Sequence, residues 1–280
     1  MKIKIMSDST CDLSKELQEK YDISIVPLTV VKNDEAFSDG VNITTDDIFA
    51  HVAAGGSLCS TAAVGVLDYQ EKFAAFADKY DAVIHVNISS ELSASYQNAS
   101  LAASEFDNVI TIDSRNLSTG QGLVVLKACE LAETASSVEE IKQNLLEYIP
   151  KVEASFLIDR LDYMVKGGRC TAVAALGANL LGLKPCIEVK DGKMSVVKKY
   201  RGNYAKSLAT YVRERLANRD DIDTKHLFVT YTPISEECSK AVEAAVAENA
   251  AFENIYWAKA GCTISCHCGP GTLGVLFAKK

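Results

Sequence analysis

Short apolar runs and longer helical patterns alternate along the first half of the chain. Residues 2–6 alternate charged and apolar positions. Residues 23–31 form a β-branched run, and 82–86 and 109–113 are compact apolar runs, so each reads as a strand. Between them lie helical patterns: from Asp12 or Ser14 to about Tyr21, from Thr44-Thr45-Asp46-Asp47 to Gly55-Gly56, at 64–79, at 94–106, from Gly120 to about Glu133, and at 137–148 before Pro150. Strand, polar loop and helix, repeated, predicts a mainly parallel sheet with helices on both faces, an α/β/α domain of three layers.

The rhythm changes after Lys151. A strand is expected at 154–158, a short helix at 161–166 stopping at Gly167-Gly168-Arg169, and a small Ala-rich helix at 172–181. Residues 184–189 and 193–199 flank Asp191-Gly192 and read as a β-hairpin. A helix at 203–217, a strand at 226–232, a helix at 235–247 and a strand at 255–259 follow, and 260–278 closes the chain. Hairpins mixed with helices predict a two-layer α+β domain with a mixed sheet. The expected division is 1–150 and 151–280.

The stretch from Asn87 to Ala99 stands out within this pattern. Ser89, Ser90, Ser93 and Ser95 place four hydroxyls where a strand hands over to a helix N-terminus. Backbone N–H groups and the positive end of a helix dipole converge there, which suits a carboxylate or phosphate. Plain capping accounts for one of these serines and leaves the others over. A second hydroxyl-rich loop, Ser57-Leu58-Cys59-Ser60-Thr61, also precedes a helix. Ser7-Asp8-Ser9-Thr10-Cys11-Asp12 follows the first strand, at the strand end where open α/β sheets bind ligands.

Composition narrows the function. The 280 residues are 48% apolar and 24% charged, ordinary for a folded globular chain. The apolar part of the N-terminus is too short for a signal peptide, and no run approaches the roughly 20 residues of a bilayer span, so a cytoplasmic protein is expected. The nine cysteines are scattered and expected to be reduced. A net charge of −8 with no basic cluster argues against nucleic acid and anionic membranes as partners. Neither G-x-G-x-x-G nor a P-loop motif occurs, which removes the common nucleotide readings.

The segment Cys262-Thr263-Ile264-Ser265-Cys266-His267-Cys268-Gly269-Pro270-Gly271 holds one of four histidines. Zinc on Cys262, Cys266, His267 and Cys268 is disfavoured: in an extended segment adjacent side chains point opposite ways, and no C-x-x-C pair is present. A structural histidine and a ligand-contacting histidine both remain open.

Nearly end to end, the chain resembles the DegV family of bacterial fatty-acid-binding proteins. The resemblance is carried by Ser7-Asp8-Ser9 with Asp12, Pro27-Leu28, Ser60-Thr61, Ile88-Ser89-Ser90-x-Leu92-Ser93 with Tyr96-Gln97, and Asp113-Ser114. In the second half it is carried by Leu161-Asp162-Tyr163, Gly167-Gly168-Arg169, Lys184-Pro185 and His267-x-Gly269-Pro270-Gly271-Thr272-Leu273-Gly274. It implies a fatty acid such as palmitate, stearate or oleate buried between two α/β domains. It also implies no catalysis by the chain itself, and delivery of the carboxylate to a separate ATP-dependent fatty-acid kinase whose acyl-phosphate product feeds phospholipid synthesis. The implied carboxylate ligands are Thr61, Ser93 and His267, with Ser60, Ser89, Ser90 and Ala94 as secondary candidates. Arg169 and Arg201 match positions facing the kinase or the transferred phosphate. No cofactor or metal is implied.

The chain departs from the family pattern at Ser60-Thr61-Ala62-Ala63, where Thr-Ser-Gln-Pro is usual, at Ala94-Ser95, where Gly-Thr is usual, and at Cys266-His267-Cys268, where Thr-His-Thr is common. A rival reading from another class is a lipid-ester hydrolase with Ser93 as nucleophile and His267 as base, although no G-x-S-x-G elbow is present. A third, a binder of some other small carboxylate, predicts a short pocket. The apolar helices at 120–133 and 172–181 could line a tunnel or serve as ordinary core.

Overall fold

The computed structural model describes residues 1–174, 182–249 and 251–280. Two larger sheets and one small one organise it. The first sheet is parallel, in the order β2-β1-β6-β7, built from Ile3–Asp8 (β1), Ser24–Val26 (β2), Ala82–Asn87 (β6) and Val109–Asp113 (β7). Every residue of β6 is buried, as expected for an inner strand covered on both faces. Helix α1 (Lys15–Lys20) follows β1 and is capped by Ser14. Helices α3 (Val66–Ala77) and α4 (Ser95–Ala103) cover one face, where Tyr69, Phe73 and Ala99 pack on Met6 and Val83.

Helix α5 (Ser118–Thr134) covers the other face and is buried continuously from Ser118 to Leu126. A helix apolar all round needs neighbours all round, and α5 has them. Its Leu123 and Leu126 share one core with Ile84 of the first sheet and with Phe156 and Phe228 of the second. Helix α6 (Val138–Tyr148) lies beside it, burying Ile141 and Leu145.

The second sheet is mixed, in the order β10-β9-β8-β13-β11-β12. Its strands are Val152–Leu157 (β8), Leu183–Lys190 (β9), Lys193–Arg201 (β10), Ile222–Tyr231 (β11), Asn254–Lys259 (β12) and Leu273–Lys279 (β13). Only the β11–β12 pair is parallel. Helices α9 (Tyr204–Leu216) and α10 (Glu236–Asn249) cover its outer face through Leu208, Tyr211 and Val242. The expected α/β architecture, a three-layer parallel unit and a two-layer mixed one, is therefore present, with α5 wedged between the two sheets.

Four elements differ from the expectation. The run 23–31 is not one strand: after β2 the chain passes Pro27, which has no N–H to give a ladder. It resumes as Thr29–Lys32 (β3) in a separate antiparallel sheet with Glu35–Ser38 (β4) and Ser60–Ala62 (β5). The β3–β4 turn is Asn33-Asp34, both with positive φ, the signature of a tight hairpin. Ser60 and Thr61 thus lie on a strand rather than a loop. Residues 260–278 contain a helix, α11 (Cys262–Cys268), before β13, so Cys266-His267-Cys268 is helical and not extended. Of the expected helix at 172–181 the structure describes Thr171–Ala174 (α8), and 175–181 lie outside the described residues. The remaining helices, α2 (Thr45–Ala53) and α7 (Asp162–Gly167), match the expected positions within a residue or two. Among the described residues no helix is long and apolar enough to cross a membrane.

Candidate functional site

Thr61 sits in β5 opposite Val30 of β3, and its Oγ1 lies 2.8 Å from Nε2 of His267 on α11. Two buried aspartates from the first half of the chain hold the start of that helix. The Gly261 N–H donates to Asp12 Oδ1 at 2.9 Å. The Cys262 and Thr263 N–H groups donate to the two oxygens of Asp39 at 2.9 and 3.2 Å. Asp12 is itself fixed by the Ser118 hydroxyl at 2.6 Å and Asp39 by the Ser9 hydroxyl at 2.9 Å. The polar loop after β1 therefore acts from behind the site, through helix α11.

Asp8, the last residue of β1, holds the other side. It is fully buried and accepts from Ile88 N at 2.9 Å and from the Tyr69 hydroxyl at 2.6 Å, and its Oδ1 lies 2.9 Å from Nε2 of His85. Ile88 opens the turn that ends at Ser93, where Leu92 N and Ser93 N both donate to Ser89 O at 3.0 and 3.2 Å. Ser93 Oγ accepts from Ser95 N at 3.2 Å and lies 2.9 Å from Ser95 Oγ, so this serine also holds the first N–H of α4.

Thr61, Ser93, Arg169, Thr263 and His267 form the polar part of a cavity of about 50 Å³. Its apolar walls include Leu28, Ile88, Leu92, Met164 and Met194. A second cavity, about 30 Å³, shares Leu117, Ile264 and Cys268 with the first and continues to Phe156 and Leu276 of the second sheet. The two cavities share these three walls, and Thr61, Ser93, Arg169, Thr263 and His267 line only the first. Leu117, just before α5, lines both; α5 otherwise serves mainly as core.

Burial, reinforced by the Arg169 guanidinium, lowers the pKa of His267 to about 4, so its ring is neutral at physiological pH. Its Nδ1 has no partner among the described residues and packs against Gly167, where a Cβ would come within 2.2 Å of it. Arg169 spans the cavity mouth, donating from Nε to Leu92 O at 3.3 Å and from Nη1 to Gly167 O at 2.8 Å.

The other candidates fall elsewhere. Ser60 is exposed, and Ala94 is the exposed N-cap of α4. Ser89 is buried but donates to Gly192 O at 2.9 Å, at the tip of the β9–β10 hairpin. Ser90 Oγ accepts from Arg115 Nη1 at 3.1 Å, and Arg115 also donates to Asp191 O. Arg201 is exposed at the end of β10, paired with Leu183, and does not line the cavity. Two participants were not foreseen. Asp39 carries no local signal of its role. Thr263 lines the cavity one helical turn before His267, a spacing visible only if the segment is read as helix. Among the described residues no three His, Cys, Asp or Glu side chains converge as a metal set. All nine cysteines are unpaired and buried.

Fold and site together define a class: two α/β sheets packed on a shared helix, enclosing a narrow apolar cavity with one polar end. The chain belongs to the DegV family, described as "Uncharacterised protein, DegV family", which matches residues 2–280. It is 33% identical over 285 residues to a DegV domain-containing protein of Clostridium perfringens, covering 100% of this chain and 99% of that one. The solved structure of a fatty-acid-binding DegV family protein from Thermus thermophilus superposes with a TM-score of 0.90 at 27% identity, covering 100% of each chain. That of a stearic-acid-binding protein from Eubacterium ventriosum superposes with a TM-score of 0.83 at 29% identity, covering 99% of this chain and 98% of that one.

Proposed function

We propose that this protein binds a long-chain fatty acid such as palmitate, stearate or oleate between its two halves and presents the carboxylate to a separate ATP-dependent fatty-acid kinase. The chain itself is a carrier and not a catalyst. The observation that carries this reading is the Thr61–His267 pair, 2.8 Å apart at the polar end of an otherwise apolar cavity.

The proton placement supports an anion. With the proton on Nε2, the neutral His267 donates to Thr61 Oγ1, which frees the Thr61 O–H to donate into the cavity. The opposite tautomer would bury an unpartnered N–H against Gly167. Ser93 adds a second hydroxyl and Arg169 a positive charge at the mouth. The tail would run past Leu117 and Ile264 toward Phe156, and the walls must part to admit it, since the two cavities measure about 50 and 30 Å³. About fifteen methylenes at about 0.8 kcal/mol each offer roughly 12 kcal/mol before binding costs, more than the head-group bonds add. Affinity then comes from the tail and orientation from the head. Arg169, at the polar end of the cavity, is the candidate to meet the transferred phosphate, and the exposed Arg201 the candidate contact for the kinase.

The hydrolase reading receives less support. His267 Nε2 pairs with Thr61 rather than Ser93, its Nδ1 meets no carboxylate, and Asp8 is already committed to Tyr69 and Ile88. Native mass spectrometry with organic extraction tests the proposal. A co-purified or added long-chain fatty acid shifting the mass supports it; a mass unshifted by palmitate and oleate overturns it.

A further inference from the structure

We propose that Thr263 is a further ligand of the head group, donating its hydroxyl to a carboxylate oxygen alongside Thr61 and Ser93. The inference rests on the fatty-acid reading above and names a residue outside the set expected from the sequence.

Thr263 is 3% exposed and lines the same cavity as Thr61, Ser93 and His267. Its Oγ1 is buried and has no hydrogen-bond partner. An orphaned buried hydroxyl is uncommon in a folded protein and calls for an explanation. The usual remedy for a helical threonine, a bond to the carbonyl one turn back, is not made: Thr263 is the second residue of α11, and the residue four before it, Lys259, belongs to β12. The carboxylate beside it is also occupied. Asp39 Oδ1 takes the Cys262 N–H, and Asp39 Oδ2 takes both the Thr263 N–H and the Ser9 hydroxyl. Nothing among the described residues answers this O–H.

A carboxylate does. Its two oxygens offer about four acceptor sites, of which Thr61 and Ser93 would fill two. Thr263 and His267, four residues apart on one helix, share a face. Asp39 and Asp12 hold that helix start rigidly, so the hydroxyl is fixed in position before the ligand arrives.

The test compares wild type with Thr263→Val, which is nearly isosteric, in binding oleate and oleyl alcohol, whose head has a single oxygen. Thr263→Val is expected to weaken oleate about ten-fold, to change the alcohol less than two-fold, and to raise the melting temperature of the ligand-free protein, because the unanswered hydroxyl is gone. Thr263→Ser keeps oleate binding. Where the Val form does not fold, Thr263→Cys, with only a weak S–H donor, gives the same comparison. Oleate affinity unchanged by loss of the hydroxyl, or an equal loss for acid and alcohol, overturns the assignment. Failure of the wild type to bind oleate at all would instead sink the fatty-acid reading on which it rests.

Discussion

Asp12 Oδ1 accepts the backbone N–H of Gly261 at 2.9 Å, a bond joining positions 249 residues apart. It anchors the helix carrying His267 to the loop after the first strand. Asp12 sits in a left-handed backbone conformation, and burial pushes its carboxyl up to about 8. His267 is perturbed the other way, to about 4, again by burial first.

These opposite directions give a pH signature. Asp12 in the folded protein keeps its proton from about pH 4 to about pH 8 while the unfolded chain loses it, so its contribution falls as pH rises, by about 1.4 kcal/mol per pH unit. His267 stays neutral down to about pH 4 while the unfolded chain protonates below about 6.5, so its contribution is lost as pH falls through that window. In wild type the two slopes offset between pH 4 and 6.5, and stability declines above it. Asp12→Asn is expected to show stability rising to pH 6.5 and then level. His267→Gln should show stability declining throughout from pH 4 to 8. Urea melts at five pH values read all three profiles, and parallel curves for wild type and Asp12→Asn would refute the assignment.

The division between head and tail predicts that Ser93→Ala and His267→Ala separate binding from presentation. Losing one head-group hydrogen bond costs about 1–3 kcal/mol against roughly 12 kcal/mol available from the tail. Fatty-acid affinity should fall by about five-fold to about 150-fold in either variant. Acyl-phosphate formation with the kinase should fall much further, because an unoriented carboxylate is not presented. Affinity and acyl-phosphate yield falling in parallel would show that the head dominates binding.

Much of this was legible in the sequence because it is periodic or local. The strand–loop–helix rhythm, the Asp191-Gly192 hairpin and the Thr44 cap follow from nearest-neighbour chemistry. Thr61, Ser93 and His267 stand out through motifs that resemble a family, and the fold brings the three to one cavity. What escaped depends on contacts across the fold. Asp39 looks like any loop aspartate until α11 is placed beside it. Cys266-His267-Cys268 has the small-residue composition of a strand or turn; it is a helix because Asp12 and Asp39 answer its first N–H groups. Ser89 and Ser90 read as anion-ligand candidates because they sit beside Ser93 in a hydroxyl-rich turn, yet the hairpin tip claims both directly or through Arg115.

Gly167 is predicted to be irreplaceable for a reason of space. A Cβ there would sit 2.2 Å from Nδ1 of His267, and the ring cannot retreat without breaking its contact with Thr61. Gly167→Ala should therefore destabilise the protein by about 1–3 kcal/mol and abolish the orienting pair. Thermal melts and fatty-acid titration check this; a variant with wild-type stability and binding would mean that the ring is free to move.

The last prediction concerns the hairpin tip. Gly192 has φ +80, and a Cβ on it would come within 2.5 Å of Ser89 Oγ and 2.8 Å of the Arg115 guanidinium carbon. The tip is thus pressed against the turn that ends at Ser93, and the same hairpin contributes Met194 to the cavity wall. Ser89→Ala removes a buried donor from Gly192 O, at a cost of about 1–3 kcal/mol. That cost falls on a contact between the turn and the wall, not on any group facing the carboxylate. Dissociation of a bound fluorescent fatty acid should accelerate several-fold, because the wall at Met194 loosens, while the order of preference among chain lengths stays as in wild type. Stopped-flow displacement by excess oleate measures the rate. An unchanged rate with reduced stability would assign the contact to folding alone.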